Sequence, residues 1–158
     1  MIRKMTIEDI PQVQLVARTS WHYTYDGIIP RPIQDNFLAT AYNNENMVRR
    51  VERSQAFVAL VEGQVVGFSN FSYVNNDGKS ELAAIYLIPE AQGKGLGTKL
   101  LEQGLTLPNV QAIELSVEKD NVSGMNFYRA KGFQQIDAFK EDFAGHELDT
   151  IRMRLEIK

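Results

Sequence analysis

A glycine-rich turn between a β-rich segment and a helical segment constrains the fold of this chain most strongly. Glycines alternate with other residues in Gln92-Gly93-Lys94-Gly95-Leu96-Gly97, which follows a strand-like segment ended by Pro89. Because glycine lacks a Cβ, such a turn lets a ligand approach the backbone closely. The free N–H groups and the dipole of the following helix then favour an anion, and Lys94 adds a positive charge. The turn therefore predicts a phosphate cradle at a strand-to-helix junction.

Two common phosphate-binding patterns do not describe this turn. The Rossmann fingerprint G-x-G-x-x-G requires a third glycine that is missing here, and the Walker A pattern G-x-x-x-x-G-K-[ST] is absent. Taken alone, the turn is also compatible with a tight connection that binds nothing, because short glycine motifs often match by chance. The surrounding residues have to decide between these two interpretations.

The order of segments predicts an α+β fold. Strand-like stretches separated by turn signals come first, and helices then alternate with strands, which favours a mixed sheet with helices on both faces. The predicted strands cover residues 2–6, 56–61, 65–74, 79–88, 112–117, 133–139 and 148–157. A first helix is predicted directly after a cap at Thr6 or Asp9. Further helices are predicted over residues 33–53 (with a break near Asn43), 97–107 and 122–131. Residues 21–32 are predicted to be a loop, and the whole chain 1–158 to be a single domain.

Composition excludes several classes of function. The chain has no cysteine, which excludes disulfides, thiolate metal sites and a cysteine nucleophile. With only His22 and His146, a histidine metal cluster is not expected either. A net charge of -3 argues against nucleic acid as the main partner. The polar N-terminus and the lack of a long apolar run predict a soluble, cytoplasmic protein without a membrane partner.

Two blocks of residues resemble a known family. Gln92, Gly95 and Gly97 match [QR]-x-x-G-x-[GA], the acetyl-CoA signature of the GNAT superfamily of N-acetyltransferases. A second stretch resembles the N-x(5)-FY-x(3)-GF block of the same family, and its matching residues are Asn121, Phe127, Tyr128, Gly132 and Phe133. The blocks occur in the family order, and the resemblance covers about residues 58–133 well. It implies a mixed, mostly antiparallel sheet of about six to seven strands.

The resemblance also implies how a coenzyme is held. In the family, the strand that ends here at Ile88 splays from its neighbour and pairs its free backbone with the pantetheine of acetyl-CoA. The amides of the turn hold the pyrophosphate, and Asn121 contacts or approaches the pantetheine. The implied coenzyme-binding residues are Ile85, Tyr86, Leu87, Gln92, Gly93, Lys94, Gly95, Leu96, Gly97, Thr98 and Asn121. The implied co-substrate is acetyl-CoA without a metal, and a homodimer is compatible with the family.

Transfer of an acetyl group to an amine raises two proton problems. An alkylamine with a pKa of about 10.4 is neutral in roughly one molecule in 2,500 at pH 7, and neutralising it costs about 4.6 kcal/mol. A general base helps there, and an acid helps the departing thiolate, whose thiol has a pKa of about 8.5. By resemblance Tyr128 is the candidate acid, since a family tyrosine at this place points at the sulfur. The alternative is a buried aromatic residue that only hydrogen-bonds.

Glu81 is the candidate general base. It lies eleven positions before Gln92, an offset similar to that of a catalytic glutamate in the histone-acetyltransferase branch. Strand alternation predicts that Glu81 and Ile85 share one face. The alternative is a solvated carboxylate beside a turn, with Ser116 and Glu118 as weaker substitutes. The serines have no recognisable base partner, so direct attack in a ternary complex is preferred to an acyl-enzyme.

The segment Ser20–Pro30 resembles the S-W-x-x-x-Y-x-G-[IL]-[IL]-P stretch of many bacterial members. In those proteins this loop borders the acceptor site, so Trp21, Tyr25 and Asp26 are candidate substrate-binding residues. Asp26 would attract a cation and the rings would give cation–π contact. The alternative is that Trp21 and Tyr25 only pin the loop to the core.

The predicted function is transfer of an acetyl group from acetyl-CoA to a primary amine of a small molecule. A protein lysine or N-terminal acetyltransferase is the main alternative, and the two differ in whether the acceptor site is a closed pocket or an open acidic groove. A non-catalytic acetyl-CoA sensor and a partner-binding domain with a vestigial fold are further alternatives. Tyr128 argues against a sensor, because binding alone does not require its phenol.

Overall fold

The computed structural model describes residues 1–157, which form one seven-stranded sheet with five α-helices packed on its two faces. The strands are β1 (Ile2–Lys4), β2 (Gln55–Val61), β3 (Gln64–Phe71), β4 (Lys79–Leu87), β5 (Ala112–Glu118), β6 (Gln134–Phe143) and β7 (His146–Glu156). The helices are α1 (Ile10–Tyr25), α2 (Arg31–Ala41), α3 (Asn44–Arg53), α4 (Leu96–Leu105) and α5 (Val122–Ala130). Short 3-10 helices cover Ile7–Asp9 and Pro89–Ala91.

The sheet is mixed and mostly antiparallel, as predicted. Its strand order is β1-β2-β3-β4-β5-β7-β6. Among the described residues, β4 and β5 form the one parallel pair, and α4 makes the crossover between them. A parallel connection needs such a crossover because its strands run in the same direction. The centre of the sheet therefore contains the junction at which the predicted phosphate cradle lies.

Two apolar layers hold the helices to the sheet. On one face α1 and α3 bury residues such as Val13 and Met47 against Phe68 of β3. On the other face α4 and α5 pack on the sheet through a cluster that includes Leu100 and Ile113. Strands β2, β3 and β4 contribute residues to both layers, which is the pattern of strands covered on both faces.

The first helix is longer than predicted. Residues 21–25 continue α1, although their sequence predicts a loop. The rings of Trp21 and Tyr25 lie one helical turn apart, with centroids 4.5 Å from each other, and both are buried. This burial favours the helix, which ends before Gly27 with its φ of +88°. Pro32 does not break α2 but occupies its first turn, where the missing N–H has no cost.

The two central strands separate after a short paired stretch. β4 and β5 pair only from Lys79↔Ala112 to Glu81↔Glu114. Beyond that point β4 stays paired with β3, and β5 stays paired with β7. A V-shaped cleft therefore opens between residues 82–87 and 115–118. This is the splayed strand pair that the resemblance implied, and we call its closed end, at Glu81 and Glu114, the apex.

A β-bulge in β4 changes which side chains face the layer under α4 and α5. The register of β3 against β4 shifts at Asn70 and Phe71, which leaves Ala83 without a paired residue. Leu82 and Ile85 consequently both pack in the layer under α4 and α5. One inserted residue reverses the alternation of all residues before it. The prediction that Glu81 shares a face with Ile85 is therefore wrong, because Glu81 faces the opposite side.

Within residues 1–157, no helix reaches the length and apolarity that a membrane crossing would require.

Candidate active site

A cavity of about 400 Å³ fills the space between the splayed strands. The glycine-rich turn closes one end of it, α5 forms one wall, and the C-terminal half of α1 forms another. The residues that line it are Ser20, Thr24, Tyr25, Leu82, Ala83, Ala84, Ile85, Tyr86, Leu87, Gln92, Gly93, Gly95, Gly97, Thr98, Ser116, Val117, Asn121, Ser123, Gly124, Phe127 and Tyr128. The fold thus brings both sequence blocks of the resemblance to one cleft.

The glycine-rich turn has the geometry of an anion cradle. Gly93 and Gly95 have φ values of +78° and +81°, a region that glycine enters without steric cost. A Cβ built on either would meet nothing within 4 Å, so it would project into open space. The N–H of Lys99 makes a hydrogen bond of 3.2 Å to the Gly95 carbonyl, and the amides before it lack intrahelical acceptors. These amides can bind a diphosphate, which fits the coenzyme.

Two predicted members of the cradle do not reach the cleft wall. Lys94 is exposed and Leu96 is buried in the core, and neither lines the cavity. Their side chains are therefore not placed against a ligand in the cleft. The backbone of both residues remains part of the turn, as the prediction required.

Strand β4 presents only alternate backbone groups to the cleft. The N–H of Ile88 donates to the Val66 carbonyl at 2.9 Å, so Tyr86 by alternation also pairs with β3. The backbone groups of Ile85 and Leu87 point away from β3, into the cleft. The Leu87 carbonyl accepts a hydrogen bond of 3.0 Å from Ser20 Oγ. The prediction for Ile85 and Leu87 is compatible with this geometry, whereas Tyr86 lines the cleft with a partly buried residue whose backbone pairs with β3.

Tyr128 is held in the last turn of α5 by its aromatic neighbours. Its ring lies edge-on to Phe127 and Phe133, with centroids at 5.5 and 5.6 Å. Burial first, and then the neighbouring phenol of Tyr25, raise the pKa of Tyr128 well above its ordinary value near 10. The phenol therefore stays protonated at neutral pH, which an acid requires.

Tyr25 and Asn121 meet at the end of the cleft near Tyr128, which we call the acceptor end. Burial is the main reason that the pKa of Tyr25 is raised, and the negative charge of Glu118 raises it further. The Asn121 Oδ1 atom accepts the Gly124 N–H at 3.0 Å and so caps α5. This capping fixes the side chain of Asn121 beside the cleft, where the resemblance placed it.

Alkaline pH should destabilise the fold, because burial raises the pKa of several tyrosines in the folded state, namely Tyr25, Tyr42, Tyr86 and Tyr128. Their neutral forms contribute stability below pH about 10, and this contribution is lost as pH rises towards the higher folded pKa values. Urea unfolding should give a constant free energy up to pH about 9 and a falling one above it. Tyr42→Phe should make the fall shallower, and an unchanged stability at pH about 11 would contradict this account.

The geometry argues against Glu81 as the general base. Its two carboxylate oxygens accept hydrogen bonds of 2.6 and 2.9 Å from the guanidinium of Arg152. Glu81 is not among the residues that line the cleft within the described chain. The β-bulge at Ala83 is the reason, since it turns the Glu81 side chain to the other face of the sheet. A carboxylate held in this way does not contact the cleft in which the amine would lie.

The candidate substrate residues separate into two groups. Tyr25 lines the cleft, but Trp21 is buried against Tyr25 and Phe37 and does not reach it. Asp26 forms an ion pair with Arg31 at 2.5 Å and lies at a second cavity, next to His146. The structure therefore favours the interpretation that Trp21 pins the segment to the core, and it leaves Asp26 outside the main cleft.

Thr24 lines the cleft, although it is not among the site residues predicted from the sequence. It lies one turn after Ser20 on α1, a spacing that places both side chains on one face of the helix. The helical spacing of Ser20 and Thr24 is the signal that points to Thr24, but it applies only if residues 21–25 are helical rather than a loop. Within residues 1–157, no group of three or more His, Cys, Asp or Glu side chains is arranged to hold a metal ion.

Comparison with known proteins identifies the family. The family model described as "Acetyltransferase (GNAT) family" matches residues 18–133, which include both sequence blocks and most of the cleft. A spermidine N(1)-acetyltransferase of Thermoplasma acidophilum is 31% identical over 151 residues, which cover 90% of this chain and 92% of that protein. An uncharacterized N-acetyltransferase of Bacillus subtilis is 33% identical over 157 residues, covering 95% of this chain and 89% of that protein.

A solved structure agrees with the same assignment. The PaiA N-acetyltransferase of Thermoplasma acidophilum, in complex with coenzyme A, superposes with a TM-score of 0.86 at 27% identity. The match covers 99% of this chain and 98% of that one. With a family model over most of the chain and relatives similar along nearly all of it, this chain belongs to the GNAT family of acetyltransferases.

Proposed function

We propose that this GNAT acetyltransferase transfers the acetyl group of acetyl-CoA to a primary amine of a small polycation of the polyamine type. The observation that carries the proposal is the packing of the β6–β7 hairpin against the α1–α2 region, whose residues Ser20, Thr24 and Tyr25 line the cleft. The β6–β7 hairpin packs on the α1–α2 region, where His146 Nε2 lies 3.0 Å from the Ile28 carbonyl oxygen. The Phe143 ring packs on Trp21 and Phe37, with centroids at 6.1 and 5.2 Å. We infer that these contacts narrow the approach beside α1, so that a slender amine fits there better than a polypeptide.

The cleft supports direct attack of the amine in a ternary complex. Acetyl-CoA supplies an acyl thioester, whose C–S bond is replaced by a C–N bond to the amine. The backbone groups of Ile85 and Leu87 hold the pantetheine, and the turn amides hold the diphosphate. Tyr128 donates its phenolic proton at the departing sulfur, because burial keeps this group protonated. The proton that the amine loses passes to water or to a carboxylate at the acceptor end.

Glu118 is the carboxylate that we assign to the acceptor end in place of Glu81. Like Glu81 it does not line the cleft itself, but it follows directly after Val117, which does. It lies on β5 two residues after Ser116, so both side chains share a face of the strand. Its side chain accepts a hydrogen bond from the Asp120 N–H, and the residue is only 8% exposed. Its charge acts on the phenol of Tyr25, which lines the cleft. A buried negative charge there attracts the ammonium groups of a polyamine.

The similarity to the Thermoplasma acidophilum protein supports this substrate class. That relative is named a spermidine N(1)-acetyltransferase and is similar over 90% of this chain. Two N-acetyltransferases of ribosomal-protein alanine, from Brucella melitensis and Escherichia coli, share the fold at 22% and 19% identity. At such low identity these two structures support the fold of this chain but not the identity of its acceptor.

A thiol-release assay over a panel of amines tests the proposal. Spermidine and related diamines should give a kcat/KM about 10- to 100-fold above that of a peptide N-terminus or a lysine peptide. One or two contacts that fit only the better substrate give a ratio of about this size. Glu118→Gln should raise KM for the polyamine and leave KM for acetyl-CoA unchanged. Asp35→Asn, on exposed α2, is the matched control that removes a distant carboxylate. Faster turnover of the peptides would overturn the proposal in favour of a protein acetyltransferase.

A further inference from the structure

We propose that Arg152 is a positioning residue, which fixes the apex of the coenzyme cleft from the neighbouring strand β7. The proposal concerns the width of the cleft and does not depend on which amine is acetylated. It also gives Glu81 a role that differs from proton abstraction. We call Arg152, together with Glu81, Glu114 and Ser116, the apex clamp.

The two halves of the sheet depend on a very short junction. Strands β1 to β4 form one half, β5 to β7 form the other, and they share three residue pairs from Lys79↔Ala112 to Glu81↔Glu114. Beyond the last pair the strands diverge around the cleft. We expect a small change in the spacing at this pair to widen or narrow the cleft between its two walls, where Ile85 of β4 and Val117 of β5 both line the cavity.

One guanidinium ties three strands together at that pair. Arg152 Nη1 lies 2.6 Å from Glu81 Oε2 and 3.0 Å from Ser116 Oγ. Its Nη2 lies 2.9 Å from Glu81 Oε1 and 3.1 Å from Glu114 Oε1. The planar fork of arginine suits such bidentate contacts, which a lysine cannot reproduce. Arg152 thus contacts β4 and β5 at the point where they part.

The two carboxylates of the apex clamp, Glu81 and Glu114, explain why a positive charge stabilises this position. Glu81 and Glu114 are direct partners in the parallel ladder, and like charges in this position repel each other. Arg152 places one positive charge between the two carboxylates, and Lys79 and Arg154 add pairing to Glu114 alone. Arg152 is only 22% exposed, so water screens its contact with Glu81 incompletely. Removing Arg152 would both cut the tie and expose the repulsion, which would open the apex. It would also release the hydroxyl of Ser116, which lines the cleft.

The test compares Arg152→Met with Arg154→Met. Arg154 lies on the same strand and face, and it pairs with Glu114 at 2.7 Å, but among the described residues it makes no contact with β4. The dissociation constant of coenzyme A, measured by calorimetry, should rise about tenfold in Arg152→Met, a change of about 1.4 kcal/mol. It should change less than about twofold in Arg154→Met, even if both variants lose similar melting temperature.

A second variant separates positioning from simple loss of stability. In the Arg152→Met background, Glu81→Gln should restore part of the coenzyme affinity, because it removes the repulsion with Glu114. If Arg152→Met fails to fold, Arg152→Lys keeps the charge without the fork and should show a smaller loss of affinity. Wild-type affinity in a folded Arg152 variant, or an equal loss in Arg154→Met, would overturn the proposal. Neither result depends on acetyl transfer, so the proposed acceptor is tested independently.

Discussion

Replacing Tyr128 with phenylalanine should lower kcat by about 10²- to 10⁴-fold while the fold and the coenzyme affinity persist. This loss corresponds to about 2.7–5.4 kcal/mol of transition-state stabilisation. The substitution removes one hydroxyl and little volume, and the ring still fills its site between Phe127 and Phe133. Steady-state kinetics, coenzyme binding and thermal melting on the same variant measure the three quantities separately.

Tyr42→Phe is the matched control for this variant. Tyr42 is also buried, and burial raises its pKa as it does for Tyr128, but it lies away from the cleft. Its loss should leave kcat nearly unchanged. A purely structural Tyr128 would give the opposite pattern, with a lowered melting temperature, at most about 1–3 kcal/mol of lost stability, and near-normal kcat. That pattern would remove Tyr128 from the mechanism.

Gly95→Val should abolish measurable coenzyme binding. We expect the wild-type protein to bind acetyl-CoA with a micromolar dissociation constant, or about -8 kcal/mol. A side chain at Gly95 would project into the open space of the cradle, where the diphosphate must lie. Isothermal calorimetry with coenzyme A measures the effect directly.

Gly63→Val controls for backbone strain in this experiment. Gly63 has a φ of +78°, close to the +81° of Gly95, and a Cβ there also meets nothing within 4 Å. It lies in the β2–β3 turn, so its substitution adds similar strain, about 1–2 kcal/mol, without a ligand to displace. Retained affinity in a folded Gly95→Val protein would contradict the cradle assignment. An equal loss of binding in both variants would assign the effect to folding instead.

The elements nearest the cleft were the most predictable from sequence. The alternating glycines of residues 92–97, the strand before them and the helix after them all follow from local rules, because a phosphate cradle depends on backbone conformation. The α5 block around Tyr128 was predictable for the same reason, with Gly132 ending the helix at a φ of +98°. Local sequence also predicted every strand of the sheet to within a few residues.

Long-range pairing decided what local sequence could not. The face of Glu81 depends on a β-bulge against β3, and its ion pair depends on Arg152, which lies 71 positions away in the chain. The continuation of α1 to Tyr25 depends on aromatic packing with α2 and the β6–β7 hairpin. The sequence by itself therefore determined the family, and it predicted the coenzyme cradle and the candidate acid, since these depend on short motifs. Only the tertiary structure decided that Glu81 is engaged in an ion pair with Arg152, because strand register and side-chain contacts are set between segments distant in sequence.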